Sequence, residues 1–355
     1  NSNEEYLLEV KDLHTSFFTE SGEVKAVNGV SFTLKPGEVM GIVGESGSGK
    51  SVTAYSIMQI LADTGRIVGG QVLYRGQDLA QFDRKQMAGF RGKCCSIIFQ
   101  DPMTSLNPVF TVGSQIMEAI RLHTKKTKEE AKVRAAEMLE LVGVNEPERR
   151  LKQYPHELSG GMRQRVMIAM ALACEPDILI ADEPTTALDV TIQAQILELM
   201  KDLQKKMGMA IIIVTHDLGV IAQMADEIIV MYGGRVCERG TAEDIFYRPA
   251  HEYTKGLLRS IPSVDKIGQR LVPISGTPIN LLNLPKGCAF CPRCDAAMKI
   301  CLEQVPPETR TVDGHLASCW MAVKKEAEAG MINFTDDSGR SLKADDTARA
   351  GSGKD

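Results

Sequence analysis

Residues 39–51 read Val-Met-Gly-Ile-Val-Gly-Glu-Ser-Gly-Ser-Gly-Lys-Ser, and this stretch determines the predicted fold. Its first five residues form a short apolar run that is typical of a buried parallel strand. A glycine-rich loop follows, and the residues after it have the character of a helix. The pattern Gly44-x4-Gly49-Lys50-Ser51, placed between a strand and a helix, predicts a loop whose backbone N–H groups enclose a polyphosphate.

The individual residues of this loop have predicted roles. Lys50 is expected to reach the β- and γ-phosphates of a nucleoside triphosphate, and Ser51 is expected to coordinate Mg²⁺. The N-terminus of the following helix adds a dipole that favours an anion at the same place. The residues predicted to contact the nucleotide here are Gly44, Glu45, Ser46, Gly47, Ser48, Gly49, Lys50 and Ser51.

A second apolar run, residues 178–181, ends in two carboxylates, Asp182 and Glu183. Asp182 is expected to hold Mg²⁺ through water, and Glu183 is expected to polarise the water that attacks the phosphate. A general base must lie within hydrogen-bond reach of that water, and the end of a strand can supply such a position. A strand that ends in Asp-Glu is a weak signal alone, but downstream of a phosphate-binding loop it indicates hydrolysis of the nucleotide.

Strands alternate with helices over most of the chain. Apolar runs at 96–99, 178–181 and 211–214 predict strands, and residues 113–144 and 190–207 have the apolar spacing of helices. The first 35 residues have the alternating pattern of a β-hairpin. The fold class is therefore predicted to be α/β, with a mostly parallel sheet.

The composition excludes several classes of protein. Of the 355 residues, 43% are hydrophobic and 25% are charged, which excludes a wholly disordered chain, a collagen and a coiled coil. The formal charge of −5 leaves no overall basic field to hold nucleic acid. No apolar stretch approaches the roughly 20 residues of a bilayer span, and residues 1–5 do not resemble a signal peptide. We expect a cytosolic protein that is held at any membrane by its partners.

Further motifs resemble those of ABC-transporter ATPases, at family-like spacing over roughly residues 7–250. Leu158-Ser159-Gly160-Gly161-Met162 looks like the ABC signature, although the family usually has Gln where Met162 stands. Gln100 stands at the Q-loop position, Ala187-Leu188-Asp189 looks like the D-loop, and His216 matches the switch histidine.

The resemblance implies an ABC-type P-loop ATPase domain over residues 1–250, with a mostly parallel core, an antiparallel β part and a helical subdomain at about 101–172. It implies that Glu183 and His216 are catalytic, His216 holding Glu183 and the water beside the γ-phosphate. Phe17 is expected to stack on adenine, and the neighbouring Phe18 is the alternative.

The family's mechanism also implies a dimer. Two such domains close head to tail, so that Ser159, Gly160 and Gly161 of one subunit cap the ATP held by the other subunit. Asp189 and Gln100 are also expected to contact nucleotide. Gln100 is in addition an expected Mg²⁺ ligand together with Ser51 and Asp182. The helix N-terminus that follows the signature is suited to an anion, which agrees with this role.

Within the family, the chain is similar to the ATPase subunits of dipeptide and oligopeptide importers, whose relatives also carry nickel and opines. The similarity rests on residues 99–108, 154–162, 251–254 and 285–288. It implies a second ATPase subunit, two transmembrane permease subunits and an extracellular or periplasmic peptide-binding protein as partners, no nucleic acid, and a peripheral location at the cytoplasmic face of the membrane. The alternatives are an importer ATPase for nickel or another small solute, and an ABC ATPase that acts on nucleic acid or the ribosome.

Five of the nine cysteines crowd into one segment, at Cys288, Cys291, Cys294, Cys301 and Cys319. Within a C-terminal extension of residues 251–329, the spacing Cys288-x5-Cys294-x6-Cys301-x17-Cys319 resembles the pattern with which members of this group bind a 4Fe–4S cluster. Cys291 is then a spare thiol, and zinc or no metal at all are the alternatives. A structural cluster is expected here, and residues 330–355 are expected to be a disordered tail.

Overall fold

The computed structural model describes residues 6–101, 105–185, 188–260 and 273–330. The strands are β1 Leu8–Thr19, β2 Gly22–Leu34, β3 Val39–Val43, β4 Gly65–Tyr74, β5 Gln77–Asp78, β6 Cys95–Ile98, β7 Ile178–Asp182, β8 Ala210–Thr215, β9 Glu227–Tyr232, β10 Arg235–Gly240, β11 Thr309–Arg310 and β12 Leu316–Ala317. The α-helices are α1 Lys50–Met58, α2 Arg84–Gly89, α3 Val112–His123, α4 Lys128–Leu141, α5 Pro147–Arg150, α6 Gly160–Leu172, α7 Val190–Met207, α8 Leu218–Ala222, α9 Ala242–Tyr247, α10 Glu252–Arg259, α11 Lys299–Glu303 and α12 Trp320–Glu328.

Some of the sequence predictions lie outside the described residues. They are the tail after Gly330, Ala187 of the D-loop motif, and residues 102–104 of the Q-loop run. The predicted domain boundaries near residues 250 and 330 stay predictions. In the described ranges, no helix has both the length and the apolar character needed to cross a bilayer.

The chain forms two compact units that interleave along the sequence. The first unit contains Phe32–Met40 and Gln71–Thr215 together with the residues up to Glu9. The second unit contains Val10–Ser31, Gly41–Gly70 and the residues from His216 onwards.

Three parallel strands, β6, β7 and β8, form the centre of the first unit. Ile97 of β6 pairs with Ile180 of β7, and Ile180 also pairs with Ile212 of β8. Every residue of β7 and β8 is buried, which explains the continuous apolar runs at residues 178–181 and 211–214. The predicted strands in this region are therefore confirmed.

The helices of the first unit begin at defined capping residues. Thr111 caps α3, and Thr127 forms a reciprocal capping box with Glu130 at the start of α4. Helices α3, α4 and α6 pack on one another, and small and aliphatic side chains such as Ile116 of α3 and Ala135 of α4 are buried. The helices predicted at residues 113–144 are confirmed, and α7 has the predicted bounds.

Antiparallel strands characterise the second unit. Strands β9 and β10 are joined by Gly233 and Gly234, whose φ values of 57° and 77° are favourable for glycine. Strand β12 then pairs with β10, with Glu238 opposite Ala317, and β11 pairs with β12. The parts of β2, β1 and β4 that belong to this unit lie side by side in that order. The C-terminal segment therefore extends the sheet at the β10 edge.

Candidate active site

The predicted phosphate-binding loop between β3 and α1 contains two positions that only glycine can occupy. At Gly44, with φ of 154°, an added Cβ would lie 2.2 Å from the Met231 carbonyl oxygen. At Gly49, with φ of 99°, an added Cβ would lie 2.4 Å from the Ala26 carbonyl oxygen. Because both obstacles are backbone atoms, no change of rotamer can relieve them, and the loop conformation requires glycine at both positions.

The polar side chains of this loop are buried beside its backbone. Lys50 and Ser51 are the first two residues of α1, and the Lys50 Nζ donates to the carbonyl oxygens of Gly44 and Glu45, at 2.8 and 2.9 Å. The Ser48 hydroxyl is buried and has no hydrogen-bond partner among the described residues. A buried hydroxyl without a partner is costly, and a phosphate oxygen is an acceptor that would satisfy it. Ser46 and Gly47 are exposed at the tip of the loop.

Residues near the C-terminus of the described chain contact this loop at Glu45. The Glu45 N–H donates to the Tyr253 hydroxyl at 2.8 Å, and the Glu45 carboxylate accepts from both Nη atoms of Arg293, at 2.6 and 3.0 Å. The Arg293 guanidinium lies 5.7 Å from the Tyr232 ring centre and 6.0 Å from that of Phe290.

Both of these contact residues keep their protons at neutral pH. The hydrogen bond to Glu45 raises the pKa of Arg293, and burial raises the pKa of Tyr253. Arg293 was not predicted, because nothing in the local sequence links it to a loop nearly 250 residues away. Tyr253 is part of the importer-like pattern of residues 251–254, but its contact with this loop was not predicted.

In the first unit, the structure brings the predicted base and the Q-loop residue together. Asp182 ends β7 with 1% of its surface exposed. Glu183 follows it, and its carboxylate accepts from Gln100 Nε2 at 2.8 Å. The Glu183 N–H donates to the Val214 carbonyl oxygen at 2.7 Å.

The backbone of Glu183 is left-handed, with φ of 47°. This conformation is uncommon for a residue other than glycine, and such strain is concentrated at functional sites. The backbone bond to Val214 and the side-chain bond to Gln100 together fix the direction of the carboxylate.

The signature and D-loop residues lie at exposed helix N-termini. Ser159 is the N-cap of α6, and its Oγ accepts from the Met162 N–H at 3.3 Å. Asp189 is the N-cap of α7, and its carboxylate accepts from the Ile192 N–H at 3.0 Å. Because the cap uses the backbone of Met162, the departure from the usual Gln leaves it intact. Gly160 and Gly161 form the first turn of α6.

His216 directly follows β8 and is exposed. The next residue, Asp217, caps α8 by accepting from the N–H groups of Gly219 and Val220 at 2.8 and 3.3 Å. This cap determines how the chain turns after the strand, so His216 stands at the junction between a buried strand and a helix. Its catalytic role stays a prediction.

The two candidate aromatic residues for adenine stacking differ in their surroundings. Phe17 packs so closely on Gly65 that an added Cβ there would lie 2.7 Å from the ring. Phe18 is 46% exposed, and the Arg66 guanidinium lies 5.9 Å from its ring centre. The prediction that Phe17 stacks on adenine stays a prediction, and Phe18 is the more accessible of the two rings.

Four of the five clustered cysteines, Cys288, Cys291, Cys301 and Cys319, pack among apolar side chains. Cys291 and Cys301 belong to one buried cluster with Trp320, and Cys319 belongs to a second cluster of small residues. Within the part of the chain that the structure describes, no group of three or more His, Cys, Asp or Glu side chains is placed to hold a metal ion. The prediction of a 4Fe–4S cluster at Cys288, Cys294, Cys301 and Cys319 is therefore wrong, and the zinc alternative has no support.

The packing of these thiols gives the physical reason for this correction. A buried thiol behaves as a small apolar side chain, and Cys291 and Cys301 pack with Met298, Trp320 and Val323. Burial also raises the pKa of Cys288 and of Cys294 to about 12. Cys291, which the prediction treated as a spare, is as much a part of this apolar packing as Cys301.

Comparison with known proteins agrees with the motifs. Residues 27–186 match the family described as ABC transporter, and residues 237–301 match the family described as oligopeptide/dipeptide transporter, C-terminal region. The dipeptide transport ATP-binding protein DppD of Bacillus subtilis is 53% identical over 92% of this chain and 97% of its own length. The oligopeptide transport ATP-binding protein OppD of the same organism is 57% identical over 89% of this chain and 88% of its own length.

A solved structure supports the same conclusion about the fold. The ATP-binding cassette MJ0796, in a dimeric post-hydrolysis state with ADP and Pi, superposes with a TM-score of 0.60 at 29% identity, covering 66% of this chain and 98% of that one. The chain belongs to the family of ABC-transporter ATP-binding subunits, in the group with the oligopeptide/dipeptide C-terminal region. It is an ABC-type ATPase, and the predicted α/β fold of that class is confirmed.

Proposed function

We propose that this chain is the ATP-hydrolysing subunit that drives the import of dipeptides or oligopeptides through a membrane ABC transporter. The observation that carries the proposal is the loop of residues 44–51, with its two obligate glycines, its buried Lys50 and its buried Ser48 hydroxyl. The match to the oligopeptide/dipeptide C-terminal region and the names of the relatives support peptide as the cargo.

The proposed roles follow from the donors and acceptors of each side chain. The loop amides, Lys50 and the Ser48 hydroxyl would bind the phosphates of ATP. Ser51, Gln100 and Asp182 supply hydroxyl, amide and carboxylate oxygens, which are the ligand types that Mg²⁺ prefers. When bound, Mg²⁺ neutralises charge on the phosphate oxygens.

The proposed general base for hydrolysis is the carboxylate of Glu183, the residue with the left-handed backbone. Glu183 would orient the attacking water and accept its proton. Gln100, which donates to the Glu183 carboxylate, would keep it in one orientation. His216 would contact the γ-phosphate, and one of Phe17 and Phe18 would stack on adenine.

We further propose the assembly in which this ATPase works. Ser159, Gly160, Gly161 and Asp189 would complete the ATP site of a second ATPase subunit, and closure of this dimer would switch two permease subunits between access states. Hydrolysis would reopen it. The exposed N-terminus of α6 supports this role, because a helix N-terminus attracts a phosphate. The complex would place this chain at the cytoplasmic face of the membrane, and a peptide-binding protein would deliver the cargo.

Purification of the assembled complex tests this proposal. ATP hydrolysis is measured with and without the binding protein, loaded in turn with a dipeptide, a longer peptide or nickel. Stimulation by peptide supports the proposal, and stimulation by nickel alone assigns another cargo. If no membrane subunit accompanies the chain and nucleic acid or ribosomes stimulate hydrolysis instead, the transport function is refuted.

A further inference from the structure

Two segments of the C-terminal part of the chain lie directly against the phosphate-binding loop. Residues 278–281 and the loop residues 45–48 line a common cavity of about 240 Å³. The Leu281 carbonyl oxygen accepts from the Lys25 N–H at 3.3 Å, which attaches this segment to β2. The second contact is the ion pair between Arg293 and Glu45.

The guanidinium of Arg293 is fixed on all sides. Besides Glu45, it donates to the Ser275 carbonyl oxygen at 2.9 Å, to the Ile274 carbonyl oxygen at 3.3 Å and to the Tyr232 hydroxyl at 3.3 Å. Its side chain is only 4% exposed. A planar fork that is held in this way imposes one orientation on the carboxylate it binds.

Glu45 is also hydrogen-bonded to Lys50 and Ser48, the residues proposed to bind phosphate. Its carboxylate is held by Arg293 and its N–H by Tyr253, while its carbonyl oxygen accepts from Lys50 Nζ at 2.9 Å and from the Ser48 N–H at 3.2 Å. All three polar groups of Glu45 are therefore engaged. The continuous series of contacts runs from Arg293 through Glu45 to Lys50.

We propose that Arg293 is a positioning residue of the nucleotide site, through which the C-terminal extension sets the affinity for ATP. Without the ion pair, the Glu45 peptide is held less firmly, and the loop must be ordered when ATP binds. That ordering cost weakens binding. The inference rests on the proposed ATPase function.

The test measures binding of a fluorescent ATP analogue, mant-ATP, to the purified full-length chain. The variants are Arg293→Met, Glu45→Gln and the double substitution. Arg310→Met is the matched control, because Arg310 lies in the same extension, is exposed and donates to the Gly314 carbonyl oxygen. Each variant's thermal midpoint is measured as well, and binding is recorded well below it.

We expect each single variant to raise the Kd for mant-ATP about tenfold, within the usual range for coupled groups. The double variant should be no worse than the singles, because both substitutions remove the same ion pair. The control should keep the wild-type Kd. Arg293→Lys, which keeps the charge and loses the fork, should also weaken binding and serves if the methionine variant does not fold.

Three results would overturn the inference. One is an unchanged Kd in folded Arg293 variants with only a lower thermal midpoint, which is the signature of a purely structural role. Another is strict additivity in the double variant. The third is equal weakening by Arg310→Met. A wild-type chain that does not bind mant-ATP would instead refute the proposed ATPase function, and the two failures are therefore distinguishable.

Discussion

Replacing Glu238 by alanine should be among the most destabilising single changes in the second unit. Glu238 lies on β10 with 1% of its surface exposed. Its carboxylate accepts from the N–H of Ala250 at 2.6 Å, from the N–H of His251 at 3.0 Å and from His315 Nε2 at 2.8 Å. One buried side chain therefore satisfies three donors from two different segments of the C-terminal part of the chain.

The magnitude follows from those three donors. Alanine at position 238 leaves the His251 N–H and His315 Nε2 buried without an acceptor, at a cost of about 1–3 kcal/mol per group, and it leaves the half-buried Ala250 N–H without its partner. The free energy of unfolding should fall by at least about 2 kcal/mol, a large share of the 5–15 kcal/mol that is usual for a domain. Glu238→Gln keeps one acceptor oxygen and should lose less.

Urea denaturation of the purified chain measures this loss. The matched control is Glu243→Ala, because Glu243 is 70% exposed and its ion pair with Arg248 spans 3.4 Å. An exposed pair of this kind contributes at most about 1 kcal/mol. If Glu238→Ala costs no more than the control, the network does not stabilise this unit in the way that its geometry indicates.

Three further predictions concern titration, catalysis and the loop. Burial lowers the pKa of His251 to about 4 from its ordinary value of 6.5, so the unfolded chain takes up the proton first and stability falls as the pH drops from about 6.5 towards 4. His251 caps α10, its Nδ1 accepting from the Tyr253 N–H at 3.0 Å, and asparagine retains an acceptor for that cap. His251→Asn should remove up to about 3 kcal/mol of the fall in urea titrations, and an unchanged pH dependence would contradict this prediction. Glu183→Gln should lower the rate of ATP hydrolysis by the assembled complex by a factor of about 10²–10⁴, while mant-ATP still binds. Lys50→Ala, in contrast, should lose mant-ATP binding. Near-normal hydrolysis in the Glu183→Gln variant would show that another group is the base. Gly49→Ala should lower the free energy of unfolding by about 1–3 kcal/mol from backbone strain, with a further loss from the clash with the Ala26 carbonyl, and it should abolish mant-ATP binding. The control is Gly208→Ala, which should retain binding because Gly208, at φ of 68°, has open space around it.

The parallel strands were predictable because burial on both faces leaves one pattern, a continuous apolar run. Strand β3 has the predicted bounds, and β7 and β8 exceed their predicted bounds by one or two residues. Strand β4, Gly65–Tyr74, was not predicted. It contains three glycines and is exposed along much of its length, so neither apolar alternation nor composition marks it as a strand. Its formation depends on the neighbouring strand β1.

The cysteine segment shows why residue type and spacing mislead in a small core. Thiols suit both metals and apolar packing, and the sequence pattern is the same in both cases. What distinguishes them is the arrangement of the sulfur atoms, and this depends on how side chains such as Trp320 pack in the folded segment, which the spacing of the cysteines does not show. Cys291 and Cys301 share a buried cluster with that ring, so packing among apolar neighbours accounts for their burial.

The predicted phosphate-binding loop and the predicted base differ in how far the sequence determines their conformation. At Gly44 and Gly49 the constraint is steric and local, so the motif alone predicts it. At Glu183 the residue type is predictable, but its left-handed backbone is not, because an acidic residue has no preference for φ of 47°. That conformation persists because Val214 holds the backbone and Gln100 holds the carboxylate. A strained position is maintained only when its surroundings over-determine it, so the orientation of the Glu183 carboxylate is a property of the folded first unit rather than of the Asp-Glu motif.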